Sequence, residues 1–142
     1  MRISELLRRK GPGVVTIAPD ASVRELLKVL AEHNVGAVVV SPDGVLMSGI
    51  ASERDIVRRL HGIGADLLDA PVAEIMTAAV HTCSPEDRVE TLNETMTQHR
   101  IRHLPVLEDG HMVGIVSIGD VVKSQISELE DEREHLVRYL QS

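Results

Sequence analysis

The chain has 142 residues, long enough for one compact domain to bury about 68–70% of its unfolded surface. It carries 15 Lys and Arg against 22 Asp and Glu, and the resulting net charge of −7 disfavours binding to a phosphate backbone. It has one Tyr and no Phe or Trp, which excludes base stacking on aromatic side chains, so we expect no nucleic-acid partner.

The first half predicts a short N-terminal helix followed by a β-α-β-β-α order. Gly11, Pro12 and Gly13 end the first helix, and Ser22 with Glu25 forms a capping-box pair that opens the second. In chain order we predict a helix around Ile3, Leu6 and Leu7, a strand at 14–18, a helix from Ser22 to Asn34 with Val23, Leu26, Leu27 and Leu30 on its apolar face, a strand at 37–40, a turn at 42–44, an apolar strand run at 45–51, and a helix from Ser52 through Leu60.

The second half repeats this order after a linker at 62–71. In chain order we predict a short helix around Val72, Ile75 and Met76, a strand at 80–83, a helix at 87–99 with Val89, Leu92 and Met96 inward, a strand at 103–107, a turn at 108–110, a strand at 112–116 and a helix from Ser117.

The two halves align residue by residue. Pro19 matches Pro85 and Val23 matches Val89 at an offset of 66, and one residue near Met47 is extra in the first copy. Beyond it the offset is 65, which aligns GIASERD at 49–55 with GIVSIGD at 114–120. The repeat predicts an α/β (α+β) fold in which two β-α-β-β-α units pack about a pseudo-two-fold axis.

A long C-terminal helix has no counterpart in the first copy. Its apolar residues recur at spacings of 4, 3, 4, 3 and 4, which is typical of a heptad seam with Arg133 at one seam position. We expect a helix too long for so small a body to cover, and therefore a partner chain, either a second copy or a regulated protein. Arg133 would set the register by pairing with an acid across a dimer. The seam residues are Val122, Ile126, Leu129, Arg133, Leu136 and Leu140.

Two copies of an apolar run, an Asp-Gly turn and G-I-x-S-x-x-D, with RHLPV at 102–106 and IMT at 75–77, resemble a tandem cystathionine-β-synthase (CBS) domain pair, or Bateman module. The resemblance covers nearly the whole chain. It implies one module at 1–142, with a first CBS motif at 1–61, a second at 72–124 and a helical extension at 125–142. Such modules commonly dimerise into a flat disc.

The resemblance also implies a regulatory module, not an enzyme, that binds an adenine nucleotide: AMP or ATP first, with NAD(H) or S-adenosylmethionine in some members. In the family the motif Ser contacts phosphate, the motif Asp binds ribose hydroxyls, a first-strand Thr lines the adenosine site, and backbone at the start of the second strand holds the base. The matching residues are Thr16, Gly36, Ala37, Val38, Ser52 and Asp55 in the first copy, and Thr82, His103, Leu104, Pro105, Ser117 and Asp120 in the second.

The two sites are expected to be unequal. Arg54 precedes Asp55 and matches a phosphate-binding Arg of the family, whereas Gly119 stands at that place in the second copy. The second site would therefore need Arg102 or His103. Gly114 is interpreted as a packing residue, while for Gly49 both close packing and room for a sugar stay open.

Simpler interpretations accompany these assignments. Ser-x-x-Asp at a helix start is also a plain capping box, and the two roles are compatible because a helix N-terminus attracts anions. His103 could be a half-buried, hydrogen-bonded imidazole. His81 and Cys83 flank Thr82 without metal-type spacing, so we expect no metal, and Cys83 lacks a base that would make it a nucleophile.

We therefore predict a nucleotide-sensing homodimer. The alternative is a ligand-free scaffold that keeps the fold for dimerisation. Cys83, as the single cysteine, cannot form an internal disulfide, and no stretch is long and apolar enough for a signal peptide or a membrane span, so we expect a cytoplasmic protein without a membrane partner.

Overall fold

The computed structural model describes residues 1–11, 13–78 and 80–141. Pro12, predicted to help end the first helix, and Ser142, the last residue of the predicted extension, lie outside the described residues. The helices are α1 (Ile3–Lys10), α2 (Val23–His33), α3 (Glu53–Ile63), α4 (Val89–His99) and α5 (Ile118–Gln141), the strands are β1 (Thr16–Ile17), β2 (Ala37–Val40), β3 (Gly49–Ser52), β4 (His103–Glu108) and β5 (His111–Ser117), and 3₁₀ turns lie at Ala65–Asp69 and Val72–Glu74.

The described strands form two small sheets, one in each half. In the first half β1 pairs parallel with β2, and β2 pairs antiparallel with β3. In the second half β4 and β5 form an antiparallel hairpin whose turn places Asp109 and Gly110 at positive φ. The mixed α+β class and the long C-terminal helix agree with the sequence-based fold prediction.

The second helix begins and ends where its sequence predicts. The Ser22 hydroxyl accepts the Glu25 N–H at 3.1 Å, and Asn34 closes the helix in the left-handed conformation with φ 51°. Val23 and Leu26 are fully buried, but Leu27, predicted on the same apolar face, is 41% exposed at its edge.

Residues 80–83, predicted as the first strand of the second copy, form no strand in the described part of the chain. Cys83 alone bridges to the sheet: its N–H donates to the Pro105 carbonyl at 3.0 Å, and its carbonyl accepts the Leu107 N–H at 2.8 Å. Pairing with β4 is therefore limited to this one residue, and 80–82 take no part in it.

Strand β3 is also shorter than the predicted apolar run at 45–51. The Asp43 carboxylate accepts the N–H groups of Val45 and Leu46, each at 2.9 Å, and these hydrogen bonds hold the pKa of Asp43 below its usual value. The backbone groups that would continue the strand are therefore used in a loop. The strand begins only at Gly49.

Each half packs against the segment that opens the other half in sequence, which we call the leading segment of that other half. Helix α1 opens the first copy in sequence but packs on the second, where Ile3 N–H donates to the Asp87 carbonyl at 2.9 Å. The turn at Val72–Glu74 opens the second copy but packs on the first, where Val72 N–H donates to the Ala21 carbonyl at 2.8 Å. Asp87 and Ala21 are equivalent in the repeat, so the exchange is reciprocal and ties the halves together.

The two cores reflect this exchange. The first contains Ile17, Val23, Leu26, Leu30, Val38, Val40, Ala51, Ile56 and Leu67, together with Val72 and Ile75 from the leading segment of the second copy. The second contains Val89, Leu92, Met96, Leu104, Val106, Val116 and Val121, together with Ile3 and Leu6 from α1. Val89, Leu92 and Met96 lie inward as predicted.

Helix α5 has 24 residues and is therefore about 36 Å long. Val121 and Ser124 are buried against the body, whereas residues 129–141 are exposed throughout. The predicted long C-terminal helix is confirmed. No helix of the described residues is long and apolar enough to cross a membrane.

Candidate functional site

The duplicated Ser-x-x-Asp motifs both lie where a strand passes directly into a helix. At the end of β3 the Asp55 carboxylate accepts the Ser52 N–H at 2.9 Å and the Ser52 hydroxyl at 3.0 Å. The Ser52 hydroxyl in turn accepts the Asp55 N–H at 3.3 Å, which completes a capping box.

The second copy has the same reciprocal geometry at the end of β5. Asp120 accepts the Ser117 N–H at 2.9 Å, and the Ser117 hydroxyl accepts the Asp120 N–H at 3.1 Å. The first residue of each following helix donates to the carbonyl that precedes a strand of the same half, Glu53 to Gly36 at 3.0 Å and Ile118 to Arg102 at 2.8 Å. Both junctions are therefore built alike.

A third Ser-x-x-Asp occurs at 84–87, where Asp87 accepts the Ser84 N–H at 2.9 Å. Here no strand passes into a helix, because the segment is a turn ahead of α4. The hydrogen-bond geometry of the motif is thus local and general. What distinguishes Asp55 and Asp120 is their position at a junction of strand and helix.

Lys10 is a residue of the candidate site that the sequence analysis did not name. From the end of α1 its ammonium donates to Asp120 Oδ2 and to the Ile115 carbonyl, both at 2.8 Å. Helix α1 belongs to the other half in sequence, so only the exchange of leading segments brings this cation to the second motif. Leu7 of the same helix lies against Gly114, as Met76 lies against Gly49 in the first half.

The contact with Lys10 lowers the pKa of Asp120. Burial acts to raise it, but the hydrogen bond from Lys10, the N–H of Ser117 and the charge of Lys10 outweigh burial and hold the pKa below its usual value. Asp120 is therefore ionised at neutral pH.

Replacing Lys10 by Met should destabilise the protein by about 0.5–1 kcal/mol at pH 7, the scale of a partly exposed ion pair. The folded-state pKa of Asp120 is lowered, so the stabilisation is present above the unfolded value near ~3.9 and is lost as the pH falls through the folded value. Urea unfolding of both proteins between pH 7 and pH 3 should therefore show the difference shrinking with acid. A difference that is the same at both ends would contradict the ion pair, and Lys10→Arg is the matched control.

His103 lies where the two halves meet. A Cβ built on Gly36 of the first half would lie 3.6 Å from His103 Cε1 of the second and 3.6 Å from Glu53 Oε2. Burial, then the charge of Lys10, lowers the pKa of His103 against the opposing pull of Asp120 and Glu53. The imidazole is therefore neutral at pH 7 and can donate one hydrogen bond and accept another.

The other candidate residues take different positions. Arg54 and Arg102 are exposed, and neither forms an ion pair with another described residue. Thr16 is half-buried in β1, but Thr82 is exposed and lies outside any strand. Ala37, Val38, Leu104 and Pro105 are buried, so they can offer a ligand backbone groups more readily than side chains.

Two open clefts border these residues. One of about 340 Å³ lies between α1 and β5 and is lined by Leu7, Arg8, Lys10, Gly11, Gly13, Val113, Gly114 and Ile115. The other, about 390 Å³, is lined by Leu27, Leu30, Ala31, Asn34, Val35, Gly36 and Glu53. Both volumes lie at the small end of ligand sites. Neither cleft is lined by a motif Ser or Asp. The first is lined by Lys10, which donates to Asp120, and the second by Glu53, which follows Ser52 in the chain.

Cys83 is unsuited to nucleophilic chemistry in this fold. Burial, with a smaller contribution from Asp87, raises its pKa to about 12, so the thiolate is scarce at neutral pH. Its thiol lies 3.6 Å from the Pro105 carbonyl. His81 stacks on His99 with 4.0 Å between ring centroids, and among the described residues no group of three or more His, Cys, Asp or Glu side chains could hold a metal ion.

Comparison with known proteins agrees with this architecture. The sequence profile of the CBS domain matches residues 3–62 and 72–127. The mitochondrial CBS domain-containing protein CBSX3 of Arabidopsis thaliana is 36% identical over 147 residues, covering 98% of this chain and 71% of the relative.

Solved structures of CBS-domain proteins superpose closely. The CBS-domain containing protein ATU1752 of Agrobacterium tumefaciens has a TM-score of 0.84 and 43% identity, covering 88% of this chain and 99% of that one. The CBS domain protein PAE2072 of Pyrobaculum aerophilum, solved in complex with AMP, has a TM-score of 0.74 and 34% identity, covering 84% and 89%.

Proposed function

The chain belongs to the CBS domain family, as a tandem pair that forms a Bateman module, and we propose that it is a regulatory module that binds an adenine nucleotide. The observation that carries the proposal is the pair of Ser-x-x-Asp motifs, each at a strand-to-helix junction, in a fold whose relative PAE2072 is complexed with AMP. AMP or ATP is the proposed ligand, and NAD(H) and S-adenosylmethionine are the further candidates.

The proposed contacts follow from the chemistry of the junctions. A carboxylate that accepts hydrogen bonds suits the two hydroxyls of a ribose, and a Ser hydroxyl at a helix N-terminus suits a phosphate. Asp55 and Asp120 are assigned to the ribose, Ser52 and Ser117 to the phosphate. Thr16 and Thr82 would line the adenosine, and the backbone at 36–38 and 103–105 would hold the base.

The two sites would differ in where their positive charge comes from. At the first, Arg54 is exposed and without an ion-pair partner among the described residues, so it can turn to a phosphate. At the second, Lys10 neutralises Asp120 and keeps one N–H free, which reduces the repulsion a phosphate would meet. Arg102 remains a proposed contact, and His103, neutral between the halves, is assigned to hydrogen bonding.

The proposed mechanism is a change in how the halves pack. His103, Gly36 and Glu53 already meet across the boundary between the halves, so a ligand there would contact both. It can shift their packing only by binding one arrangement more tightly than another. The exchanged leading segments support treating 1–142 as one module, with motifs at 1–61 and 72–124 and an extension at 125–142 that carries the change outward.

We further propose a non-enzymatic, cytoplasmic homodimer. The exposed apolar residues of α3 and α5 favour a second copy as the cover, among them Val57 at 67% exposure and its repeat equivalent Val122 at 45%. The proposal names no catalytic residue and no metal.

The alternative function is a ligand-free scaffold that keeps the fold for dimerisation, and the same exposed apolar surface favours it. Calorimetric titration of nucleotide-free protein separates the two. Heat of binding with AMP, ATP, NADH or S-adenosylmethionine supports the sensor, and no heat with any of them supports the scaffold.

A further inference from the structure

The projecting part of α5 leaves an apolar stripe, interrupted by Arg133, without cover. Ile126 is 51% exposed, Leu129 64%, Leu136 63% and Leu140 79%, while the opposite side of the helix, through Val121 and Ser124, faces the body. Residues 129–141 contact no other element closely enough to be buried. Most helical stability in proteins comes from packing an apolar face, so the uncovered stripe favours a partner surface.

The stripe follows a heptad pattern with Ile126, Arg133 and Leu140 at a positions and Val122, Leu129 and Leu136 at d positions. Arg133 forms no ion pair with another described residue of its own chain. Arg133 is thus a cation in an apolar seam, and an acid of a second chain could pair with it. The neighbouring acids fall at defined positions, Glu130 at e and Glu132 at g.

These positions discriminate between two pairings with a second copy. In parallel, in-register pairing, g faces the e residue five places later, so Glu132 meets Val137 and Gln125 meets Glu130, and no acid faces an acid. At the a layer Arg133 faces Arg133 of the other copy, and each also lies beside Glu132 of that copy, so each of the two cations is matched by an acid of the opposite helix.

In the antiparallel register that covers all six seam residues, g faces g and e faces e. Glu132 then faces Glu132 of the other copy, and Glu130 faces Glu130, so two pairs of like charges lie together. Arg133 has one apolar neighbour, Leu129, level with it.

We propose that residues 122–140 of α5 form a parallel, in-register, two-stranded coiled coil with a second copy of this chain, in which Arg133 and Glu132 pair between the copies. The proposal rests on the homodimer of the proposed function. The seam spans fewer than three heptads, so the coil extends a dimer that the bodies also hold.

Disulfide cross-linking of the full chain tests the arrangement. In a Cys83→Ala background, Leu136→Cys should oxidise to a covalent dimer of twice the 15.5 kDa chain mass, because only in-register parallel helices bring residue 136 beside itself. Leu129→Cys should do the same. Asp131→Cys, at the outward f position, is the matched control and should remain monomeric on a non-reducing gel.

Two results would overturn the proposal. If single Leu136→Cys stays uncoupled while the double variant Ile126→Cys, Leu136→Cys cross-links, the helices are antiparallel. If neither cross-links while light scattering still shows a dimer, the tail covers something other than a second copy. If the chain binds AMP but does not cross-link at residue 136, the nucleotide proposal stands and the coiled-coil proposal is wrong. If it cross-links but binds no nucleotide, the coiled-coil proposal stands and the nucleotide proposal is wrong.

Discussion

Replacing Gly49 by Ala should destabilise the fold by about 2–3 kcal/mol, as overpacking of a closed contact does. A Cβ at this position would lie 2.6 Å from the Thr77 carbonyl oxygen and 3.1 Å from Met76 Sδ. The carbonyl cannot move aside freely, because it accepts the Ile50 N–H at 3.0 Å while the Thr77 N–H donates back to Ile50 at 2.9 Å. Urea unfolding followed by circular dichroism measures the loss.

Gly114→Ala is the matched control at the equivalent position of the second half. There the added Cβ would lie 2.6 Å from Leu7 Cδ2, the end of a flexible side chain on α1. Leu7 can change rotamer, so we expect a loss of about 1 kcal/mol or less. Equal losses at the two glycines would show that the contact of Gly49 with the 75–77 segment is not rigid. The close approach also shows that Gly49 packs tightly, as does Gly114.

The second large effect is expected on ligand affinity. Asp55→Asn and Asp120→Asn should each weaken nucleotide binding at their own site by about 1–3 kcal/mol, the scale of losing charge-assisted hydrogen bonds. Asn keeps the size of the side chain but offers one acceptor oxygen without charge. Asp120→Asn should also lower the melting temperature more than Asp55→Asn, since only Asp120 is paired with Lys10.

Asp87→Asn supplies the control for a purely structural role. Asp87 accepts a backbone N–H three residues earlier at 2.9 Å, as Asp55 and Asp120 do, but lies at no strand-to-helix junction. It should lower the melting temperature without changing affinity. If Asp55→Asn behaves in the same way, capping is its whole role.

The repeat made most of the fold predictable. Helical spacing located α2 and α4 within a residue or two, and the Asp-Gly turns located the hairpins, because these signals are local. The strand predicted at 80–83 was wrong because only Cys83 of that segment pairs with β4, a contact between distant residues that local periodicity does not reveal. The run at 45–51 was too long because the Asp43 side chain accepts the N–H groups of Val45 and Leu46.

The site was predictable only in part. The Ser and Asp residues follow from duplicated sequence, and their capping geometry follows from local hydrogen bonding. Lys10 could not be assigned in the same way, since it reaches Asp120 across a separation of 110 residues through the exchange of leading segments. The neutral state of His103 likewise depends on burial between halves, which strand periodicity alone does not reveal.

The central claim, that this Bateman module binds an adenine nucleotide, is tested most directly by isothermal titration with AMP. The protein should first be stripped of co-purified nucleotide, which absorbance near 260 nm can verify because the chain has one Tyr and no Trp. We predict saturable heat with one or two sites per chain, reduced in Asp55→Asn or Asp120→Asn and unchanged in Asp87→Asn. The absence of heat with AMP, and equally with ATP, NADH and S-adenosylmethionine, would contradict the claim.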